Sequence, residues 1–139
     1  MKIYLAHCYE AKGWLESLVV PEFQKAGFEI VSRWHNPNLG SDQGKLEGAL
    51  MDIEDLKSAD VLVLFVDNWE GRGGKGKWFE FGLAFGLGKR IVLVGRDDSC
   101  VFVKMEKPPD LVMLEYRWKA INWLKFVEKE YSENSKTVA

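Results

Sequence analysis

The sequence predicts an α/β domain of the doubly wound kind, a parallel five-stranded sheet with helices on both faces. Three observations carry this. Val61 to Val66 is apolar at every position, as a central strand must be when helices cover both its sides. Short apolar runs alternate with segments of helical period along the chain, the pattern of βαβ units with right-handed crossovers. Glycines punctuate the ends of helical segments at Gly27 and Gly88.

The elements follow in order. Ile3 to Ala6 is a short apolar run with β-branched and aromatic character and predicts a buried first strand. Glu10 to Ala26 has helical spacing, with Trp14, Leu15, Leu18, Val19, Phe23 and Ala26 on one stripe. Pro21 interrupts it, so a kink or a restart is expected there. Phe28 to Val31 predicts the second strand, and the polar stretch His35 to Gly44 a loop. Leu46 to Leu56 predicts a helix whose inward face is Leu46, Ala49, Leu50, Ile53 and Leu56. After the strand Val61 to Val66 comes a glycine-rich loop, Asp67 to Lys77, then a helix from Trp78 to Leu87. Ile91 to Val94 is a fourth strand. Residues 95–110 predict a loop region with a short strand near Val101 to Val103, and Leu111 to Leu114 the fifth strand. Tyr116 to Tyr131 is a final amphipathic helix with Trp118, Ile121, Leu124 and Val127 inward, and a frayed tail is expected from Ser132. The five strands favour the flavodoxin-like order 2-1-3-4-5, and the chain, 1–139, reads as one domain without internal repeats.

Composition narrows the function. A net charge of −2, with both signs spread along the chain, gives no broad footprint for nucleic acid. No run of 18 apolar residues exists, so no membrane span is expected. Cys8 and Cys100 are too few for a disulfide framework, and reduced thiols in a cytoplasmic protein are the expectation. His7 and His35 are the only histidines and have no cysteine or histidine spacing that suits zinc, so neither a metal nor a cofactor is expected. Six tryptophans in 139 residues serve mainly to fill the core, with one or two available to face a planar ligand.

In such sheets ligands bind outside the carboxyl ends of the strands, beside the switch in strand order. The loops there are His7 to Glu10, Ser32 to Asp42 and Asp67 to Lys77, and strands 1 and 3 should flank the crevice. Gly71 to Lys77 spells GxxxxGK, but Trp78 stands where a P-loop needs Ser or Thr for magnesium, and the loop follows the third strand rather than the first. Its backbone N–H groups still make an anion-friendly entry to a helix, and Arg72, Lys75, Lys77 and Arg33 are candidates for holding a phosphate. Glu80 falls in the first turn of the predicted helix. It is either a partner of the helix dipole or, among Trp78, Phe79, Phe81 and Gly82, a partly desolvated carboxylate able to act as a nucleophile. Asp52 and Asp55, at i and i+3, are either a solvated helix face or an acidic pair.

Three separated motifs then resemble one family in order. Ile3-Tyr4-Leu5-Ala6 is similar to its first strand. Asp52 to Asp60, as Asp-x-Glu-Asp-Leu-x-x-Ala-Asp, is similar to the helix entering its central strand. Gly76-Lys77-Trp78-Phe79-Glu80-Phe81-Gly82-Leu83-Ala84, followed by Gly88-Lys89, is similar to its G-x-x-x-E-x-G-x-A element. The chain thus resembles the nucleoside 2-deoxyribosyltransferase superfamily, which includes the 2′-deoxynucleoside 5′-monophosphate N-glycosidases. The resemblance implies Glu80 as the nucleophile at C1′, Tyr4 as the group orienting that carboxylate, and Asp52 as the residue handling the leaving base or the sugar hydroxyls. It implies Tyr9 as the aromatic against the base. His7, Arg33, Trp34, Gly74, Gly76 and Trp78 complete the candidate substrate-binding set. The expected reaction is transfer of a (deoxy)ribosyl group between bases. Hydrolysis of a nucleoside 5′-monophosphate and a non-catalytic nucleotide-binding module are the alternatives. The partners implied are a small nucleoside or nucleotide and further copies of the chain, as a homodimer or higher assembly. Two features depart from the family: Trp78 is bulky where relatives carry a small residue, and the first loop is His7-Cys8-Tyr9-Glu10 instead of a Gly-Ser-x-Arg-like phosphate loop.

Overall fold

The computed structural model describes residues 1–39, 44–67, 74–96 and 101–137. Strands β1 (Lys2–Ala6), β2 (Glu29–Ile30), β3 (Val61–Phe65), β4 (Arg90–Val94) and β5 (Leu111–Leu114) form one sheet, in the order β2-β1-β3-β4-β5. Every pair is parallel, with Tyr4 beside Leu62 and Leu62 beside Ile91. This is the α/β architecture and strand order that the apolar runs predict.

The period of two along each strand divides the core into two layers. Ile3, Leu5, Val61, Val63, Phe65, Val92 and Val94 face Leu15, Val19, Phe23, Ala120 and Leu124. Tyr4, Ala6, Leu62, Leu64, Ile91 and Leu93 face Leu56, Phe81 and Ala84. The second layer lies under α3 (Lys45–Ser58) and α4 (Lys75–Gly86). The pleat therefore sends Tyr4 toward the two helices that carry Asp52 and Glu80.

Pro21 does what its missing N–H requires. After α1 (Lys12–Trp14) the helix widens into a π-helical turn, Leu15–Val19, and restarts as α2 (Val20–Lys25) with Pro21 in its first turn, where an N–H has no helical partner. Gly27 follows with φ 95° and turns the chain into β2.

Several expectations are corrected. The inward face of α3 is Met51, Asp55 and Leu56, whereas Leu46 and Leu50 are 72% and 57% exposed. The apolar stripe faced solvent because Asp55, although charged, is held inside by Arg33. Val101–Met105 is a 3₁₀ helix rather than a strand. In α5 (Arg117–Thr137) the buried residues are Ala120, Leu124 and Val127, and Trp118 points outward with Tyr116 stacked on it. That helix runs on through Ser132 to Thr137. No helix among the described residues is long and apolar enough to cross a membrane.

Candidate active site

A cleft of about 620 Å³ opens at the carboxyl end of β1 and β3. Its walls come from the loop after β1 (His7, Cys8, Tyr9, Glu10), from Trp34 after β2, from the first two turns of α3 (Lys45 to Asp52) and from the start of α4 (Gly74, Lys75, Gly76, Glu80). Strands β1 and β3 flank it, at the switch in strand order.

Three polar atoms from three elements come together at its floor, two in the lining and one beneath it. Tyr4 Oη from β1, Asp52 Oδ1 from α3 and Glu80 Oε2 from α4 are all buried, and none makes a well-formed hydrogen bond. Each such atom costs a fold about 1–3 kcal/mol, so three together mark a place where the fold is not optimised for its own stability. Tyr4 is fully buried and lies beneath the cleft. Its hydroxyl faces Glu80 closely enough to favour the carboxylate, though outside regular hydrogen-bond geometry. Burial raises the Glu80 carboxyl to about 8, against that pull from Tyr4 and with a smaller push from Asp52. Burial, then repulsion from Asp55, raises Asp52 to about 6, with Arg33 acting the other way. Burial and the two carboxylates push the Tyr4 phenol upward, so it keeps its proton and remains a donor.

α4 begins at Lys75 rather than Trp78, which moves Glu80 from the first turn to the second. The charge–dipole account of Glu80 fades within one turn. The start is set by Gly74, at φ 63°, whose Cα hydrogen faces Cys8. A Cβ there would come within 2.9 Å of Cys8 Cβ and 3.0 Å of its Cα. Loop 1 and α4 thus touch backbone to backbone, a contact that needs glycine twice over.

The remaining predicted residues divide. His7, Tyr9, Trp34, Gly74 and Gly76 line the cleft. Arg33 does not: its guanidinium and its backbone N–H both bind the Asp55 carboxylate, with Nη2 2.6 Å and N 3.0 Å from it. The acidic pair is therefore unequal, Asp55 being buried in an ion pair and Asp52 half-buried at the cleft. Trp78 packs on Phe81 and covers Lys77 Nζ at 5.9 Å instead of facing a ligand. Lys77 is buried under the sheet end and is not a phosphate ligand. Arg72, Gly71 and Gly73 lie outside the described residues. Sequence reasoning missed Lys45, Gly48, Ala49 and Met51 as cleft residues. The signal was available in the helical period, since these positions lie within one turn or two of Asp52.

The edge of the sheet beside the cleft is finished by side chains. β2 pairs with β1 only at Lys2 and Ile3. Beyond it, Leu5 N–H donates to Ser32 Oγ (3.1 Å), and Trp34 Nε1–H donates to Leu5 O (2.8 Å). Behind Ser32, His35 Nε2 lies 2.7 Å from the hydroxyl while its Nδ1 meets Glu16. Ser32, His35 and Glu16 have the order of a hydrolytic triad. The hydroxyl is buried, occupied by Leu5, and is not part of the cleft lining, so the three residues brace Trp34 against β1.

Known structures share this fold. A CMP N-glycosidase of Clostridium botulinum, BcmB, superposes with a TM-score of 0.65 at 14% identity, covering 93% of this chain and 99% of that one. A 2-deoxyribosyltransferase of Bacillus psychrosaccharolyticus superposes at 0.61 with 22% identity, covering 88% and 91%. A conserved protein of Enterococcus faecalis V583 gives 0.66 at 15%, covering 90% and 97%. Neither a family model nor a curated protein sequence matches the chain. The fold is thus the one found in nucleoside 2-deoxyribosyltransferases and their N-glycosidase relatives, as the three motifs imply.

Proposed function

We propose that this protein is an enzyme of the nucleoside 2-deoxyribosyltransferase kind that cleaves the N-glycosidic bond of a (deoxy)nucleoside or nucleotide and passes the sugar to another base through an ester on Glu80. The observation that carries this is that Asp52 and Glu80 line one cleft with buried, unpartnered carboxylate oxygens, and that the unpartnered Tyr4 hydroxyl lies beneath it against Glu80. The motifs around those residues and the names of two structural neighbours support the class.

In the first step a Glu80 carboxylate oxygen bonds to C1′, the C1′–N bond breaks, and the base leaves with the bonding pair and a proton from Asp52. In the second, a new base nitrogen or a water attacks C1′, the ester C1′–O bond breaks, and Asp52 takes up the proton that the attacker loses. Tyr4, always protonated, donates to Glu80 and steadies the carboxylate as it forms and is released. With Glu80 at about 8 and Asp52 at about 6, the pair holds a single proton near neutrality, the count the first step requires, with Glu80 ionised as it attacks and the proton on Asp52; the second step begins with Glu80 esterified and Asp52 ionised. Tyr9, 60% exposed at the rim, and Trp34 supply flat surfaces for the base.

One observation favours the hydrolytic alternative on a 5′-monophosphate. α3 and α4 both begin at the cleft, behind Gly44 and Gly74, without side-chain caps and with Lys45 and Lys75 as first residues. Two helix N-termini and two ammonium groups suit a phosphate. The apolar stripe Leu46 and Leu50, exposed next to the cleft residues Lys45 and Ala49, supports assembly with a second copy.

The experiment is a screen of nucleosides and 5′-monophosphates for base release, with intact-mass detection of a sugar adduct that Glu80→Ala abolishes. Release that needs an acceptor base selects transfer, and release without one selects hydrolysis. Tight binding without turnover, unchanged in Glu80→Gln, would select the binding module and end the enzymatic reading.

A further inference from the structure

Lys77 is absorbed by none of this chemistry, yet it is among the most deeply buried side chains, at 1% exposure. An ammonium group is costly to bury unless its donors are met. Its Nζ lies 3.2 Å from Phe65 O, 3.2 Å from Val66 O and 3.3 Å from Asp67 O. Three carbonyl oxygens thus stand within reach of an ammonium group that carries three N–H donors. These carbonyls are the last of β3 and the next two beyond it, where the strand ends at the cleft, and Lys77 is the third residue of α4, one turn before Glu80. Gly74, at the N-cap, gives the helix no side-chain cap. Trp78 roofs the ammonium. On the other side sits His7, stacked on Phe65 with centroids 5.3 Å apart. Cys8 N–H donates to His7 Nδ1 at 2.8 Å, which leaves the ring proton on Nε2.

We propose that Lys77 is a positioning residue: its ammonium fastens the first turn of α4 to the end of β3 and thereby holds Glu80 in register with Tyr4 and Asp52. This rests on the catalytic reading of Glu80 given above. The three carbonyl contacts are to backbone acceptors, so they fix the distance between a strand end and a helix start, and the buried ammonium forms no part of the cleft surface. A displacement of the nucleophile of the order of 1 Å is enough to cost about 10²-fold in rate. The same charge acts on His7, whose imidazole burial and Lys77 together hold down to about 4.

The test compares Lys77→Met, which keeps the length of the side chain and removes the donors, with Lys77→Arg, which keeps a charge but is too wide for the three carbonyls. For Lys77→Met, kcat should fall about 10²-fold with KM changed by less than about 3-fold. The imidazole resonances of His7 should titrate at higher pH than in the wild type, which mere loss of packing elsewhere would not cause. Lys77→Arg should keep the low His7 titration and lose kcat; it also serves if the Met variant fails to fold. Wild-type kcat in either folded variant overturns the proposal while leaving the role of Glu80 intact. If the wild type turns over no nucleoside or nucleotide, the proposed function fails instead. The His7 titration then still reports on Lys77, and an unmoved titration in Lys77→Met overturns its placement.

Discussion

Glu80→Gln should stabilise the protein at neutral pH while abolishing its turnover. The carboxyl titrates at about 8 in the folded state against an ordinary value near 4.5. A group whose value is raised by folding stabilises the native state only while protonated. Its contribution is complete below pH 4.5, declines as the unfolded chain ionises first, and levels off above about pH 8. At pH 7 the decline has run for about 2.5 pH units at ~1.36 kcal/mol each, which is on the order of 3 kcal/mol. Glutamine, neutral and of the same shape, recovers it. For a chain of 139 residues this is a rise in Tm of about 10 °C. Urea unfolding at pH 4.5 and pH 7.5 separates the causes, because the gain should vanish at the acid value and be present at the neutral one. An equal gain at both, or none at either, would refute the claim that ionising a desolvated Glu80 is what costs the fold.

Three further outcomes follow from the same geometry. The pH profile of kcat/KM should be a bell with limbs near 6 and 8: below the first both carboxyls of the pair hold protons and no nucleophile exists, and above the second no acid remains. A single rising limb would remove Asp52 as the proton donor. Arg33→Ala strands the buried Asp55 carboxylate and should cost about 3 kcal/mol in chemical unfolding. It should also move the acid limb upward, because Arg33 is what lowers Asp52; an unmoved limb would separate Arg33 from the site. Gly74→Ala places a methyl against the Cys8 backbone at a positive φ, a strain of about 1–3 kcal/mol, and should depress kcat by parting loop 1 from α4. Full activity in that variant would show the two backbones to be independent.

The sheet was readable because its strands are buried on both faces and their apolar runs carry no competing period. That Tyr4, Asp52 and Glu80 come together was readable for a different reason, the order of motifs around them, and the pleat explains why Tyr4 turns to the layer of α3 and α4. What escaped was polar burial. The apolar stripe of α3 lies outward because Asp55, held by Arg33 twenty-two residues before it, occupies the inner face. Lys77 looks like a loop cation, and its partners are carbonyls, which no residue type advertises. Trp78 then covers Lys77 rather than a substrate. The helix start at Lys75 escaped because Gly74 and Gly76 read as loop, although Gly74 serves as the hinge that admits α4 against Cys8.

The short second strand has a consequence for how the cleft can change. Along most of a sheet, geometry is dictated by main-chain ladders that every sequence shares. Beside Leu5 the ladder is replaced by a hydroxyl and an indole, so the width of that wall is written in two side chains. Exchanging Trp34 for a smaller donor would widen the cleft while Ile3, Tyr4 and the central strands keep their places. Substrate range in this scaffold can therefore drift at its margin without disturbing the three groups that would break the bond.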